Sequence, residues 1–302
     1  MKTTRFGVEI EFTGITRRKA AEVAAEFFDG SVSHAFSYDR YTTTDHSGRT
    51  WTFMSDASIT TQRRENRMRV DAGGEYGVEM VTPILTYEQD MDTLQNIIRK
   101  LRKAGAFVNK GSCGLHIHLD GAPHTARTIK NWINIVASRN DLLYKALQIE
   151  PSRVYYCKAL DADLVKRMNK RSVKTLAQIE DQWYAGYESL NTRSHHYNRS
   201  RYHFLNLHSF FHGHGTVELR GFNSTLHAGK VRAYVALALA MNQQALTQSK
   251  ASAKKPQTDN EKFAMRTYLT RIGLNGDEFA NCREHLCKHL DGNSAWRFGN
   301  NT

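Results

Sequence analysis

The chain opens on strict two-residue alternation. In Arg5-Phe6-Gly7-Val8-Glu9-Ile10-Glu11-Phe12 the apolar side chains fall at 6, 8, 10 and 12, and carboxylates stand at 9 and 11. Successive side chains of an extended strand leave on opposite faces, so one face belongs in a core and the other carries charge. Alone, this segment fits an antiparallel strand with a solvated acidic face. The pattern returns at Val78-Glu79-Met80, at Gly114-Leu115-His116-Ile117-His118-Leu119-Asp120 and at Thr216-Val217-Glu218-Leu219-Arg220. A single His-x-His is usually a surface pair, and a single Glu-x-Arg a surface ion pair. If the four segments share one sheet, however, Glu9, Glu11, Glu79, His116, His118, Glu218 and Arg220 line one concave polar surface that no core requires. Carboxylates outnumber imidazoles in that set, which favours hard, oxygen-liganded ions, Mg²⁺ or Mn²⁺, over zinc.

The remaining pattern predicts an α+β fold with a largely antiparallel sheet. Thr16 caps a helix that Gly30 ends, and residues 34–58 read as a hairpin turning at Asp45-His46-Ser47-Gly48. The polar, Arg-rich stretch 60–75 reads as a mobile loop, either a lid or a disordered segment. Thr86-x-x-Gln89 has the form of a capping box for a helix that runs to Gly105. The middle of the chain is helical at 125–147, 161–170 and 172–184. Strands at 202–210 and 215–222 join through His212-Gly213-His214-Gly215, and an Ala-rich helix spans 230–248. The expected organisation is a catalytic domain at 1–248 with a helical insertion at about 124–190, a polar linker at 249–260 and a C-terminal helical appendage at 261–302.

Charge narrows the classes of partner. With 42 Lys and Arg against 30 Asp and Glu, the net charge of +12 points to nucleic acid, an acidic peptide or protein, or an anionic nucleotide. The basic residues are spread along the chain, without zinc-finger spacing, RNP-like strands or basic heptads, so nucleic acid is disfavoured. No apolar run approaches the roughly 20 residues of a membrane helix. The first residues enter the strand without a hydrophobic signal core, and four scattered cysteines make no disulfide framework, which together lead us to expect a cytoplasmic protein. Cys282, His285, Cys287 and His289 have metal-like spacing, but one amphipathic helix wraps a tetrahedral ion poorly, and packing is the better reading. Cys113 is likewise read as a packing residue.

One combination of motifs carries a resemblance. Gly7-x-Glu9-x-Glu11, Trp51 to Asp56-x-Ser58, Glu79-Met80-Val81-Thr82-Pro83, Gly114-Leu115-His116-Ile117-His118, Arg201-Tyr202 to Asn206-Leu207 and Thr216-Val217-Glu218-Leu219-Arg220 occur in order. Over about residues 5–245 this set resembles the amidoligase family, within the glutamine synthetase and glutamate-cysteine ligase superfamily of carboxylate-amine ligases. The resemblance implies a glutamine synthetase-like curved sheet with helices on its convex face, ATP, and two Mg²⁺ (or Mn²⁺) ions. It implies Glu9, Glu11, Glu79, His116 and Glu218 as metal ligands, with His118, Arg201 and Arg220 on nucleotide or phosphoryl oxygens. Arg220 and Glu79 become the catalytic candidates. The implied reaction phosphorylates a substrate carboxylate and lets an amine displace phosphate, so a carboxylate-bearing substrate and an amine are partners, with an acidic peptide or protein as a candidate. Rival chemistries are a guanidino phosphotransferase of the same fold, an ATP-independent metallohydrolase using His116, His118 and Glu79, and a binding module without catalysis.

Overall fold

The computed structural model describes residues 1–187 and 193–295. Its first half runs β1 (Arg5–Phe12), α1 (Arg17–Phe27), β2 (Ser33–Ala35), β3 (Arg40–Thr44), β4 (Thr50–Met54), β5 (Gln62–Glu65), β6 (Met68–Asp71), β7 (Val78–Val81), β8 (Leu85–Thr86), α2 (Tyr87–Lys103) and β9 (Gly114–Asp120). There follow α3 (Ala126–Leu147), α4 (Ala162–Met168), α5 (Leu176–Tyr184), β10 (Leu205–Asn206), α6 (His208–His212), β11 (Thr216–Asn223), α7 (Ala228–Thr247), α8 (Glu261–Arg271) and α9 (Ala280–Cys287).

Alternation places β1 in the middle of an open, antiparallel sheet ordered β10-β11-β9-β1-β7-β4-β3-β2, with β8 pairing beside the start of β1. One face is apolar: Phe6, Val8, Ile10, Met80, Leu115, Ile117, Leu119, Val217 and Leu219 are all buried in the main core. Against that core lie α1, α2, α3 and α7. Helix α7 is buried almost all round because it packs on β9, α2, α3 and α9 together. Its run Ala236-Leu237-Ala238-Leu239-Ala240 lets these elements approach closely. No described helix is long and apolar enough to cross a membrane. All four cysteines are buried and unpaired, and burial pushes the Cys113 thiol up to about 11, which suits packing.

Local chemistry explains most of the boundaries. Thr16 Oγ1 accepts from Lys19 N at the start of α1, and the Asp45 carboxylate accepts from Ser47 N and Arg49 N in the predicted turn. Three expectations need correction. The capping box at Thr86 does not form: Asp90 Oδ2 accepts from Thr86 N at 2.7 Å, while Asp90 Oδ1 takes Arg49 Nη2, so Asp90 both stops the strand and ties α2 to the hairpin. Residues 60–75 are not an irregular loop, because 62–71 form a separate β5–β6 hairpin. Its turn residues Asn66 and Arg67 both take positive φ, at 48° and 68°, and its base is pinned where Thr13 Oγ1 donates to Gln62 O. The strand expected at 202–210 shrinks to Leu205–Asn206, because Asn206 Oδ1 accepts from His208 N and turns the chain into α6.

Candidate functional site

Register brings the polar residues together. Glu11 stands opposite Glu79 across β1 and β7, Glu9 opposite His116 across β1 and β9, and His118 opposite Glu218 across β9 and β11. Since each belongs to the alternate face of its strand, all of them, with Arg220, project away from the helices. A bulge between Leu219 and Phe222 distorts β11 just where Arg220 leaves it. Gly221 sits in that bulge against the Phe204 ring, and a Cβ there would lie 1.9 Å from Phe204 Cδ2.

The side chains form a continuous network. His116 Nδ1 donates to Glu9 Oε2 at 2.9 Å and lies 3.8 Å from Glu218 Oε1. Arg220 Nη1 donates to Glu218 Oε1 at 2.5 Å, and Asn206 Nδ2 donates to Glu218 Oε2 at 2.6 Å. His118 Nδ1 is 2.8 Å from the Thr216 hydroxyl, itself 2.9 Å from the Ser209 hydroxyl. That contact leaves His118 Nε2 buried, 3.2 Å from Glu9 Oε1 but not aligned for a hydrogen bond. Glu11 accepts the Gly114 amide, while the Ser224 hydroxyl donates to the Glu11 carbonyl.

Two ligand groupings result, and they share an imidazole. Potential ligand atoms of Glu9, His116 and Glu218 all lie within 4.8 Å of one another, as do those of Glu11, Glu79 and His116. Electrostatics divides the carboxylates in the same way. Burial opposes ionisation of Glu218, yet Arg220 and then the histidines overcome it and hold the carboxyl at about 2. Burial also acts on Glu9, where His118 and His116 prevail and keep it well below the usual range. Around Glu11 and Glu79 no such cation prevails. Burial and the neighbouring Asp56 push Glu11 up to about 7; burial, Glu9 and Glu11 push Glu79 well above the ordinary value. His118 resists burial because Glu9 and Glu218 face it, and it rises to about 9; burial and Arg220 instead lower His116. One half of the cluster is therefore balanced by His118 and Arg220, and the other is short of positive charge. A divalent cation with hard ligands suits that second half.

Arg201 stands apart from this cluster. Its Nη1 donates to His196 O, and its guanidinium lies over Tyr197 and Tyr202 at 5.5 and 6.0 Å. Two participants carried no role in the sequence reading. Asn206, quoted there only as part of a motif, proves to be the neutral partner of Glu218. Arg153 lies in a 3₁₀ turn, Pro151–Tyr156, where no periodicity marks it. It is buried, and it donates to Phe222 O at 2.7 Å, Asn223 Oδ1 at 3.2 Å and Arg220 O at 3.3 Å, thereby gripping the β11 bulge. The Cys282 to His289 segment contributes to no metal-ligating group among the described residues.

The family model described as "putative amidoligase enzyme" matches residues 2–242, a span containing every strand that supplies the cluster. No curated protein matches the chain.

Proposed function

The chain belongs to the amidoligase family, and from that premise we propose that it is an ATP-dependent carboxylate-amine ligase, forming an amide or isopeptide bond through an acyl phosphate. The observation that carries this reading is the pair of ligand groupings joined at His116. Glu9, Glu218 and His116 would hold one Mg²⁺ or Mn²⁺, and Glu11 and Glu79 the other. When bound, such ions supply positive charge to the phosphates of ATP and to the oxygens of the transferred group.

The protein's own side chains then have separable tasks. Arg220, fixed by Glu218 from one side and gripped through its carbonyl by Arg153, offers a preorganised cation to phosphoryl oxygens. His118, oriented by Thr216 and Ser209, is the candidate imidazole contact to the nucleotide. Glu79, opposite Glu11 across β1 and β7, is the catalytic candidate of the second grouping. Arg201, over its two tyrosines, is a candidate phosphate contact farther out. The open antiparallel sheet with helices on one face accords with a glutamine synthetase-like fold. In this reading residues 1–248 make the catalytic unit, with the helical insertion at about 124–190, the linker at 249–260 and the remaining helices as an appendage. The carboxylate substrate is a peptide, protein or amino acid, and the surplus of basic residues favours an acidic one.

The test is incubation with ATP, MgCl₂ and paired carboxylate and amine substrates. Substrate-dependent release of ADP and phosphate, with a product lighter than its two substrates by one water, is expected. A phosphorylated guanidine, or hydrolysis that proceeds without ATP, would overturn the assignment.

A further inference from the structure

A cavity of about 650 Å³ opens on the helical side of the molecule, between α2, the N-terminal end of α7 and α9. We infer that it is a second binding site, for a small anion carrying more than one phosphoryl charge.

Its lining is one-signed. Arg99, Arg102 and Lys103 come from α2 and Arg232 from α7, and no Asp or Glu lines the cavity. Arg99 donates to the Asn96 side chain and Arg232 to the Tyr87 hydroxyl, both neutral acceptors. Among the described residues no carboxylate forms an ion pair with any of the four. At the α7 end, His227 and His285 meet edge to face with ring centres 5.1 Å apart. Gly229 leaves room for that pair, since a Cβ there would approach His285 Nε2 to 2.9 Å. Burial and then the surrounding cations, Lys230 and Arg102 for His227, keep the imidazole from adding its own charge. Solvated surface cations normally alternate with acids; here they converge on a hollow instead.

The chemistry selects the ligand. Guanidinium groups match phosphoryl oxygens in bidentate fashion, and the start of a 20-residue helix adds amide donors and a favourable dipole. Four cations that form no ion pair call for an anion of more than one charge. The volume falls within the range of small-molecule sites, but no Phe, Tyr or Trp lines the cavity for a nucleobase to stack on, so phosphoryl groups rather than a base are what it can read. The site lies on the face opposite the carboxylate cluster and does not depend on the ligase assignment.

Isothermal titration of the full chain with inorganic pyrophosphate, in EDTA at low ionic strength and without ATP, tests the inference. Saturable one-to-one binding is expected, weakened about tenfold or more in Arg99→Gln/Arg102→Gln and in Arg232→Gln, because each removes charge-assisted hydrogen bonds. The exposed α1 variant Arg18→Gln/Lys19→Gln should bind as the parent does. Absence of saturable binding, or equal weakening in the α1 variant, would overturn the site. A tetraglutamate peptide that binds as tightly as pyrophosphate would overturn the phosphoryl preference.

Discussion

Glu11→Gln should make the metal-free protein more stable at alkaline pH while weakening its response to magnesium. The Glu11 carboxyl is buried, and burial together with Asp56 moves it from an ordinary 4.5 to about 7. A folded-state value above the unfolded one means that the protonated carboxyl stabilises the fold fully below the unfolded value. This contribution is lost as pH rises through about 7. The displacement corresponds to about 3 kcal/mol of destabilisation once both states are ionised, at about pH 8. Glutamine is neutral throughout and its amide oxygen can still accept the Gly114 N–H that Glu11 accepts. For a chain of this length about 3 kcal/mol shifts the melting temperature by on the order of 6 °C. Scanning calorimetry in EDTA should therefore find the variant level with the parent at about pH 4.5 and more stable by that margin at about pH 8. Adding MgCl₂ at the higher pH should raise the parent more than the variant, which keeps only the grouping of Glu9, His116 and Glu218, since a ligand that binds only the folded state stabilises by mass action. A variant less stable than the parent at alkaline pH in EDTA, or a difference that ignores pH, would refute the reasoning. It would show that Glu11 bears no excess negative charge awaiting a cation.

Glu218→Gln should abolish ATP turnover and also destabilise the fold by about 3 kcal/mol, because it strips the buried Arg220 of its counter-charge; urea titration and a phosphate-release assay check both. Arg153→Met should cost about 2 kcal/mol by leaving the carbonyls of Arg220 and Phe222 unsatisfied, and should lower turnover without touching metal-dependent stabilisation. If magnesium no longer raises the melting temperature of that variant, Arg153 has a wider role than bracing the bulge. Gly221→Ala should destabilise by about 2 kcal/mol through its clash with Phe204, and Phe204→Leu in the same chain should recover part of the loss.

The central strands were legible in sequence because alternation is a direct consequence of strand geometry, and register then follows from which face is apolar. The convergence of Glu9, Glu79, His116 and Glu218 could thus be expected before any coordinates. What could not be read were effects that depend on contacts distant in sequence. Asp90 outcompetes the local Thr86 cap because Arg49, 41 residues earlier, holds its other oxygen. The β5–β6 hairpin lacked a glycine signal, since Asn66 and Arg67 supply the positive φ. Arg153 belongs to no periodic segment, and only the bulge it grips, 67 to 70 residues later, reveals its use. The lowered and raised carboxylates of Glu218 and Glu11 likewise come from neighbours on other strands.

The position of β1 has a consequence for how the protein is made. Strand β1 receives one neighbour from residues 78–81 and the other from 114–120, and the latter is itself completed only by residues 216–223. Contacts of such long sequence separation form slowly, because loop closure must precede the pairing that rewards it. Glu9 and Glu11 therefore wait for some two hundred further residues to be translated before Glu218 and Arg220 can join them. An ion held by that cluster would act as a clasp on the finished sheet, retarding its unfolding while doing nothing to hasten its assembly.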